Sequence, residues 1–221
     1  RALDITQKSA WFLLHRLRLA MQTGSFKKMS GTIEADETAI GGLAKFMHAS
    51  HRKKVIKGRA MSGKAIVVGL LERHGSKKAS RVRTMIVRDT QRDTLHSIIR
   101  ENIEPGASIY TDAWKPYRKL GPDFQHAFVD HMEKYVDGAV HTNGVENFWA
   151  LFKRCIKGTY IACEPFHLER YLDEQCFRFN NRKMTDAQRH AAALAMIAGK
   201  RITYAQLIGK TAGAEISRLP F

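Results

Sequence analysis

The chain has 221 residues, 44% hydrophobic and 9% aromatic, with 37 Lys and Arg against 21 Asp and Glu, a formal net charge of +16. That length suffices for one domain with a real core, alone or with a small appendage, and no apolar run approaches the roughly 20 residues of a membrane span. The charge excess opposes compaction and points to a polyanionic partner, nucleic acid being the commonest; the basic residues are spread out rather than gathered on one amphipathic helix, which argues against a membrane surface.

The first residue is Arg1 and not Met, so the chain is expected to be a fragment or a processed product. A helix starts near Thr6, which supplies an N-cap, and Ala10, Leu13, Leu14, Leu17 and Met21 recur at helical spacing. Gly24, Ser25, Ser30 and Gly31 then break the pattern. Residues 1–30 read as the remaining helix of a helix-turn-helix plus a linker, with a docking helix of the main domain as the alternative. Residues 31–221 read as the main domain, helical in its C-terminal part.

From residue 31 the pattern changes to strands. "GTIEAD" (31–36) is a short strand ending at Asp36, and "KAIVVGLLE" (64–72) is the continuous apolar run of a buried central strand. "SRVRTMIVRD" (80–89) alternates apolar with basic residues, and a helix over Thr90 to Asn102 follows, with Leu95, Ile98 and Ile99 on one face. "GASIYTD" (106–112) is another strand, "AWKPYRKL" a short helix or turn, and "HAFVDH" (126–131) a weak strand. After residue 141 the chain reads as helical, apart from a loop at "KGTYIACEPF" (157–166) with Gly158 and Pro165. This order suits an α/β domain in which an antiparallel meander joins a parallel strand. Cys155, Cys163 and Cys176 form no CxxC pair; they read as small buried hydrophobes in a reducing compartment, not as a disulfide framework or a closed zinc site.

Asp36 and Asp112 each close a β-like run just before a break. If the two strands are neighbours, the carboxylates stand side by side, which is repulsive without a cation. Mg²⁺ suits such hard oxygen ligands, and two ions about 4 Å apart serve phosphodiester chemistry. A third ligand is expected from a helix packed over the strand ends. In "HTNGVENFWALFKR" (141–154), Asn143, Glu146 and Lys153 share one face, with the small Ala150 between them. Val145, Phe148, Trp149, Phe152 and Ile156 make the opposite, apolar face. Asn143 also fits a capping box, as N-cap with Glu146 at N3.

The segments "IEADETAIGG", "IYTDAWKPYRKL", "HTNGVENFWALFKRCIKGTY" and "LERYLDEQCFRFNNRK", in this order, resemble the ISXO2-like transposases of the IS1595 group of bacterial insertion sequences. The resemblance runs from about Gly31 to Leu207 and touches "TQKSAW" near the start. It implies an RNase H-like fold, a mixed five-stranded sheet flanked by helices. It also implies a DDE-type active site with two Mg²⁺ ions, replaceable by Mn²⁺, and cut-and-join chemistry on transposon DNA ends. Carried over residue by residue, Asp36 is the first acid, Asp112 the second (112 − 36 = 76) and Glu146 the third (146 − 112 = 34). Lys153 matches the basic position seven residues after the third acid. Some members are described with Asn in the third place, which keeps Asn143 as a rival. Members usually begin with a zinc ribbon and a helix-turn-helix, of which one helix at most is expected here. DNA is the implied partner, a homodimer is expected because two ends must be joined, and the implied location is the bacterial cytoplasm at the nucleoid.

Further residues have candidate DNA roles. "HASHRKKVIKGRAMSGK" (48–64) offers Arg52, Lys53, Lys54, Lys57, Arg59 and Lys64 to the phosphate backbone. His141 could contact a phosphate or assist proton transfer, or support the turn before the helix. Trp114 and Tyr117 could stack on an unpaired base or pack in the core. "RFNNRK" (178–183) is a second basic segment. Glu37 points away from Asp36 if the strand continues. Two rivals to a transposase are a nuclease of the same fold that stops after cleavage and a non-catalytic, domesticated DNA-binding protein; intact acids argue against the latter.

Overall fold

The computed structural model describes residues 3–22, 27–41, 48–50, 53, 64–75, 78–117, 120–129, 140–161, 163 and 165–210. Its strands are β1 (Thr32–Ile40), β2 (Ala65–Glu72), β3 (Arg81–Val87), β4 (Ser108–Asp112) and β5 (Gln125–Val129). They form one sheet in the order β3-β2-β1-β4-β5. The first three make an antiparallel meander, and β4 and β5 add in parallel beside β1. This is the expected mixed five-stranded sheet.

Side-chain alternation gives β1 two different faces. Ile33 and Ala35 join Val68, Leu70 and Ile109 in a core closed by Leu95 and Ile99 of α2 (Arg92–Asn102). Glu34, Asp36 and Thr38 point to the other face. There α3 (Asn143–Cys155) packs, with Val145, Phe148, Trp149 and Phe152 buried as its apolar stripe requires. The approach is close at Gly69 of β2: a Cβ there would stand 2.5 Å from Trp149 Cζ2 and 3.1 Å from Val145 Cγ2.

Three expectations need correcting. Asp36 does not end β1, which continues to Ile40 because β2 pairs with it as far as Ile40↔Ala65. The partnership with β4 covers only Thr32 to Glu34. Asp36 therefore stands where β1 loses its neighbour on one side while keeping the other. Residues 157–166 are not a plain loop: α3 runs on into a π-helical turn, Ile156–Tyr160, and a 3-10 turn follows at Pro165–His167. The break comes at Ile161, 82% exposed with φ at 64°. Of the cysteines, Cys176 is buried, whereas Cys155 and Cys163 are half-buried.

The chain divides into two compact units, one within Ser25–Cys163 and one built from Arg1–Gly24 with Glu164–Pro220. In the second, α1 (Gln7–Met21) packs on α4 (Leu168–Asn180) and α5 (Asp186–Ala195). Thr6 caps α1 as expected, accepting from the Ser9 N–H at 3.2 Å. The buried Arg18 meets the buried Glu174 at 2.8 Å and lies over the Tyr171 ring, 4.2 Å from its centroid. Lys200 donates to the Ala20 and Gln22 carbonyls at 3.0 and 2.7 Å. The C-terminal helices thus group with α1. Arg178 of the second basic segment is engaged within this unit by Glu174. Among the described residues, no helix is long and apolar enough to cross a membrane.

A methyl group at Gly69 has no room against Trp149. Gly69→Ala is expected to lower stability by about 1–3 kcal/mol, read as a fall in denaturant midpoint at unchanged slope; an unchanged midpoint would show that α3 docks less closely.

Candidate active site

Parallel register places the two aspartates. Glu34 pairs with Tyr110, an offset of 76 (110 − 34), and the same offset carries Asp36 to Asp112 (112 − 36 = 76). Ile33 and Ile109, also partners, both enter the core. The alternate positions Glu34, Tyr110, Asp36 and Asp112 therefore share the face that α3 covers, on strands about 4.8 Å apart. Across β1 on its other side, Asp36 faces Gly69, over which Trp149 sits.

Electrostatics reports the same gathering. Burial, then the charges of Glu37, Asp112 and Glu146, pushes the Asp36 carboxyl from 3.8 up to about 7, against a backbone hydrogen bond that lowers it. Burial pushes the Lys153 ammonium down, Asp36 pulls it up, and Lys157 and Lys64 push it down again. Asp112, Glu146 and Lys153 thus each interact with Asp36, and Lys64 and Lys157 interact with Lys153. Glu37 leaves by the opposite face, as expected, and accepts from the Tyr117 hydroxyl at 2.7 Å.

Asp112 closes its turn by accepting the Trp114 N–H on Oδ1 at 3.1 Å. Tyr117 is core, but Trp114 is not: its side chain is 46% exposed beside Asp112. Lys64 stands half-buried at the start of β2, its Cγ 3.0 Å from where a Cβ on Gly41 would be. Lys53 is exposed. Arg52, Lys54, Lys57 and Arg59 lie outside the described residues, as do residues 130 and 131 of the weak strand.

The start of α3 corrects the capping expectation. Thr142, not Asn143, is the N-cap, and Asn143 is the first helical residue. The Thr142 carbonyl accepts the Glu146 N–H at 3.0 Å, and its hydroxyl donates to Glu146 Oε1 at 2.6 Å. The third N–H of the helix, from Val145, is taken by Glu34 Oε2 at 2.9 Å. That carboxylate satisfies a donor left over at the helix start, so Asn143 has no capping duty there. Asn143, Glu146, Ala150 and Lys153 all stand exposed along one side of α3. His141 is turned inward to Arg73, whose Nη2 lies 2.6 Å from its Nδ1 and donates to its carbonyl at 2.7 Å.

Glu34, Arg73, Thr142 and Gly144 escaped the reading of the sequence. The alternation in "IEADE" puts Glu34 and Asp36 on one face, a signal for Glu34 alone. As a donor set, the carboxylates of Asp36, Asp112 and Glu146 offer hard oxygens of the kind Mg²⁺ takes, and the raised Asp36 carboxyl marks negative charge that a cation would relieve. Among the described residues, no three His, Cys, Asp or Glu side chains are gathered into a ready-made coordination group.

A family model described as an ISXO2-like transposase domain matches residues 28–180. A Haemophilus influenzae protein described as an uncharacterized transposase-like protein is 34% identical over 102 residues, 46% of this chain and 82% of that protein. Among solved structures, the simian T-cell lymphotropic virus intasome in complex with PP2A regulatory subunit B56 gamma matches with a TM-score of 0.42. That match has 11% identity and covers 91% of this chain and 70% of that chain, a likeness too remote to carry weight.

Asp36 gives a pH signature. With its folded value near 7 and its ordinary one at 3.8, the folded state holds a proton that the unfolded chain lacks across that window. Stability is then lost as the pH rises from about 4 to about 7. In EDTA, Asp36→Asn is expected to melt higher than the parent at pH 8, the gap closing toward pH 4; added Mg²⁺ should raise the parent alone. A variant melting no higher than the parent at pH 8 would mean that the acids are not crowded.

Proposed function

The chain belongs to the ISXO2-like transposase family, and on that premise we propose that it is the catalytic part of a DNA transposase, which cuts phosphodiester bonds at transposon ends and joins the released 3′-OH to target DNA. The observation that carries the reading is the parallel register of β1 with β4, which pairs Glu34 with Tyr110 two residues before Asp36 and Asp112, under a helix whose exposed side carries Asn143, Glu146 and Lys153. Both steps are in-line displacements at phosphorus and need no covalent enzyme intermediate. Asp36, Asp112 and Glu146 would hold Mg²⁺, or Mn²⁺ in its place, and two such ions would activate the attacking oxygen and stabilise the leaving one.

The chain's own side chains supply the rest. Lys153, next to Asp36 in the electrostatic sense, offers its ammonium to a phosphate oxygen, and Lys64 and Lys157 extend that positive margin along the DNA backbone. Arg52, Lys53, Lys54, Lys57 and Arg59 would add backbone contacts. The exposed Trp114 stands where it can stack on an unpaired base beside Asp112. His141, tied to Arg73, supports the start of α3. Glu146 is the favoured third acid, because a carboxylate is the harder donor and the Thr142 hydroxyl orients it; Asn143, exposed and without a capping bond, is the competitor. Joining two ends calls for a homodimer on DNA, in the bacterial cytoplasm at the nucleoid.

The test is cleavage and joining of transposon-end DNA with Mg²⁺ or Mn²⁺. Asp36→Ala and Asp112→Ala are expected to reduce cleavage by about 100-fold or more, Glu146→Ala by a similar factor, and Lys153→Ala chiefly to weaken DNA binding. Full activity in Asp112→Ala would end the metal reading. Loss in Asn143→Ala with Glu146→Ala tolerated would move the third position to Asn143. Cleavage without any joining would make the protein a nuclease.

A further inference from the structure

Glu34 is an acid in an odd place. It lies two residues before Asp36 on the same face of the central strand and is 1% exposed. Neither of its oxygens is left over for a ligand. Arg73 Nε donates to Oε1 at 2.6 Å, and the Val145 N–H donates to Oε2 at 2.9 Å. Gly144 is packed so tightly on the carboxylate that a Cβ there would stand 2.8 Å from Oε2 and 2.9 Å from Oε1. Arg73 is equally committed. Beyond Glu34 it donates to the His141 carbonyl at 2.7 Å, and its guanidinium lies over the ring of Tyr110, 5.0 Å from the centroid. Tyr110 is the register partner of Glu34 in β4. One ion pair thus joins β1, β4 and the first turn of α3.

We infer that Glu34, clamped by Arg73, is a positioning residue that fixes the first turn of α3 and so sets where Asn143 and Glu146 stand against Asp36 and Asp112. Glu146 directly follows the bonded Val145, so little slack separates the clamp from the third acid; a slip of one residue would swing it by about 100°. A misplacement of about 1 Å at a reacting centre is enough to cost about 100-fold in rate. Gly144 belongs to the device because any side chain there would push the carboxylate out of the helix start.

The effect on rate rests on the transposase reading; the effect on the helix does not. Glu34→Gln has one amide oxygen for two donors: if it accepts from the Val145 N–H, the N–H₂ faces Arg73, and if it faces Arg73, the N–H₂ faces the Val145 N–H. In the full chain, amide hydrogen exchange over residues 143–149 is expected to quicken on the order of tenfold, with α2 and β3 unchanged. Single-turnover cleavage of end DNA should slow about 10–100-fold with DNA affinity unaltered. Gly144→Ala, which leaves Glu34 intact, should give the same pattern and decides the matter if Glu34→Gln fails to fold. Arg73→Lys should recover part of what Arg73→Met loses. Parental exchange over 143–149 in both Glu34→Gln and Gly144→Ala overturns the inference whatever the activity. Faster exchange in a protein whose parent cleaves no DNA sustains the clamp and removes the transposase reading instead.

Discussion

Parallel pairing of β1 with β4 puts two segments 76 residues apart in sequence into one register, and the site depends on it. A shift of one residue would send Asp112 through the sheet to the core face, beside Leu95 and Ile99, since side chains alternate along a strand. The pairs Ile33↔Ile109 and Glu34↔Tyr110 forbid that shift from both sides. One is a buried apolar contact; the other is a buried acid with its own cation and an aromatic ring beneath that cation. The register that carries Asp36 and Asp112 is therefore fixed by residues two and three positions before them.

The formal charge of +16 looks different once the acids are located. Glu34, Glu72 and Glu174 are all buried, and each is matched by an arginine: Arg73, Arg81 and Arg18. Burying a carboxylate without such a partner is costly. Each such pair withdraws one anion and one cation together, so the excess of +16 is carried by the remaining side chains. An attraction built this way should weaken with salt as phosphate contacts do.

Much of the sheet was legible because its signals are local. The apolar run of β2, the alternation of β3 and the break after Asp112 each lie within a few residues. The apolar stripe of α3 was legible for the same reason, through helical periodicity. What stayed hidden depends on distant neighbours. The length of β1 is set by β2, not by its own composition. Asn143 looked like a cap because nothing nearby revealed that an acid 111 residues earlier takes the Val145 N–H. The grouping of α1 with the C-terminal helices rests on Arg18 and Glu174, 156 positions apart, and no periodicity carries that information.

The connection pattern also sets an order of events in time. The meander β1 to β3 needs only neighbouring segments, whereas the pairing of β1 with β4 and the docking of α3 must close far longer loops, which form more slowly. The first acid, at position 36, precedes the third, at 146, by 110 residues (146 − 36). During synthesis at about 5–20 residues per second, the growing chain already carries the basic residues before position 100 while Glu146 has yet to be made. On the proposed reading, a nascent chain can touch polyanions before it can cut them, because α3, which Glu34 receives, is made only after the sheet.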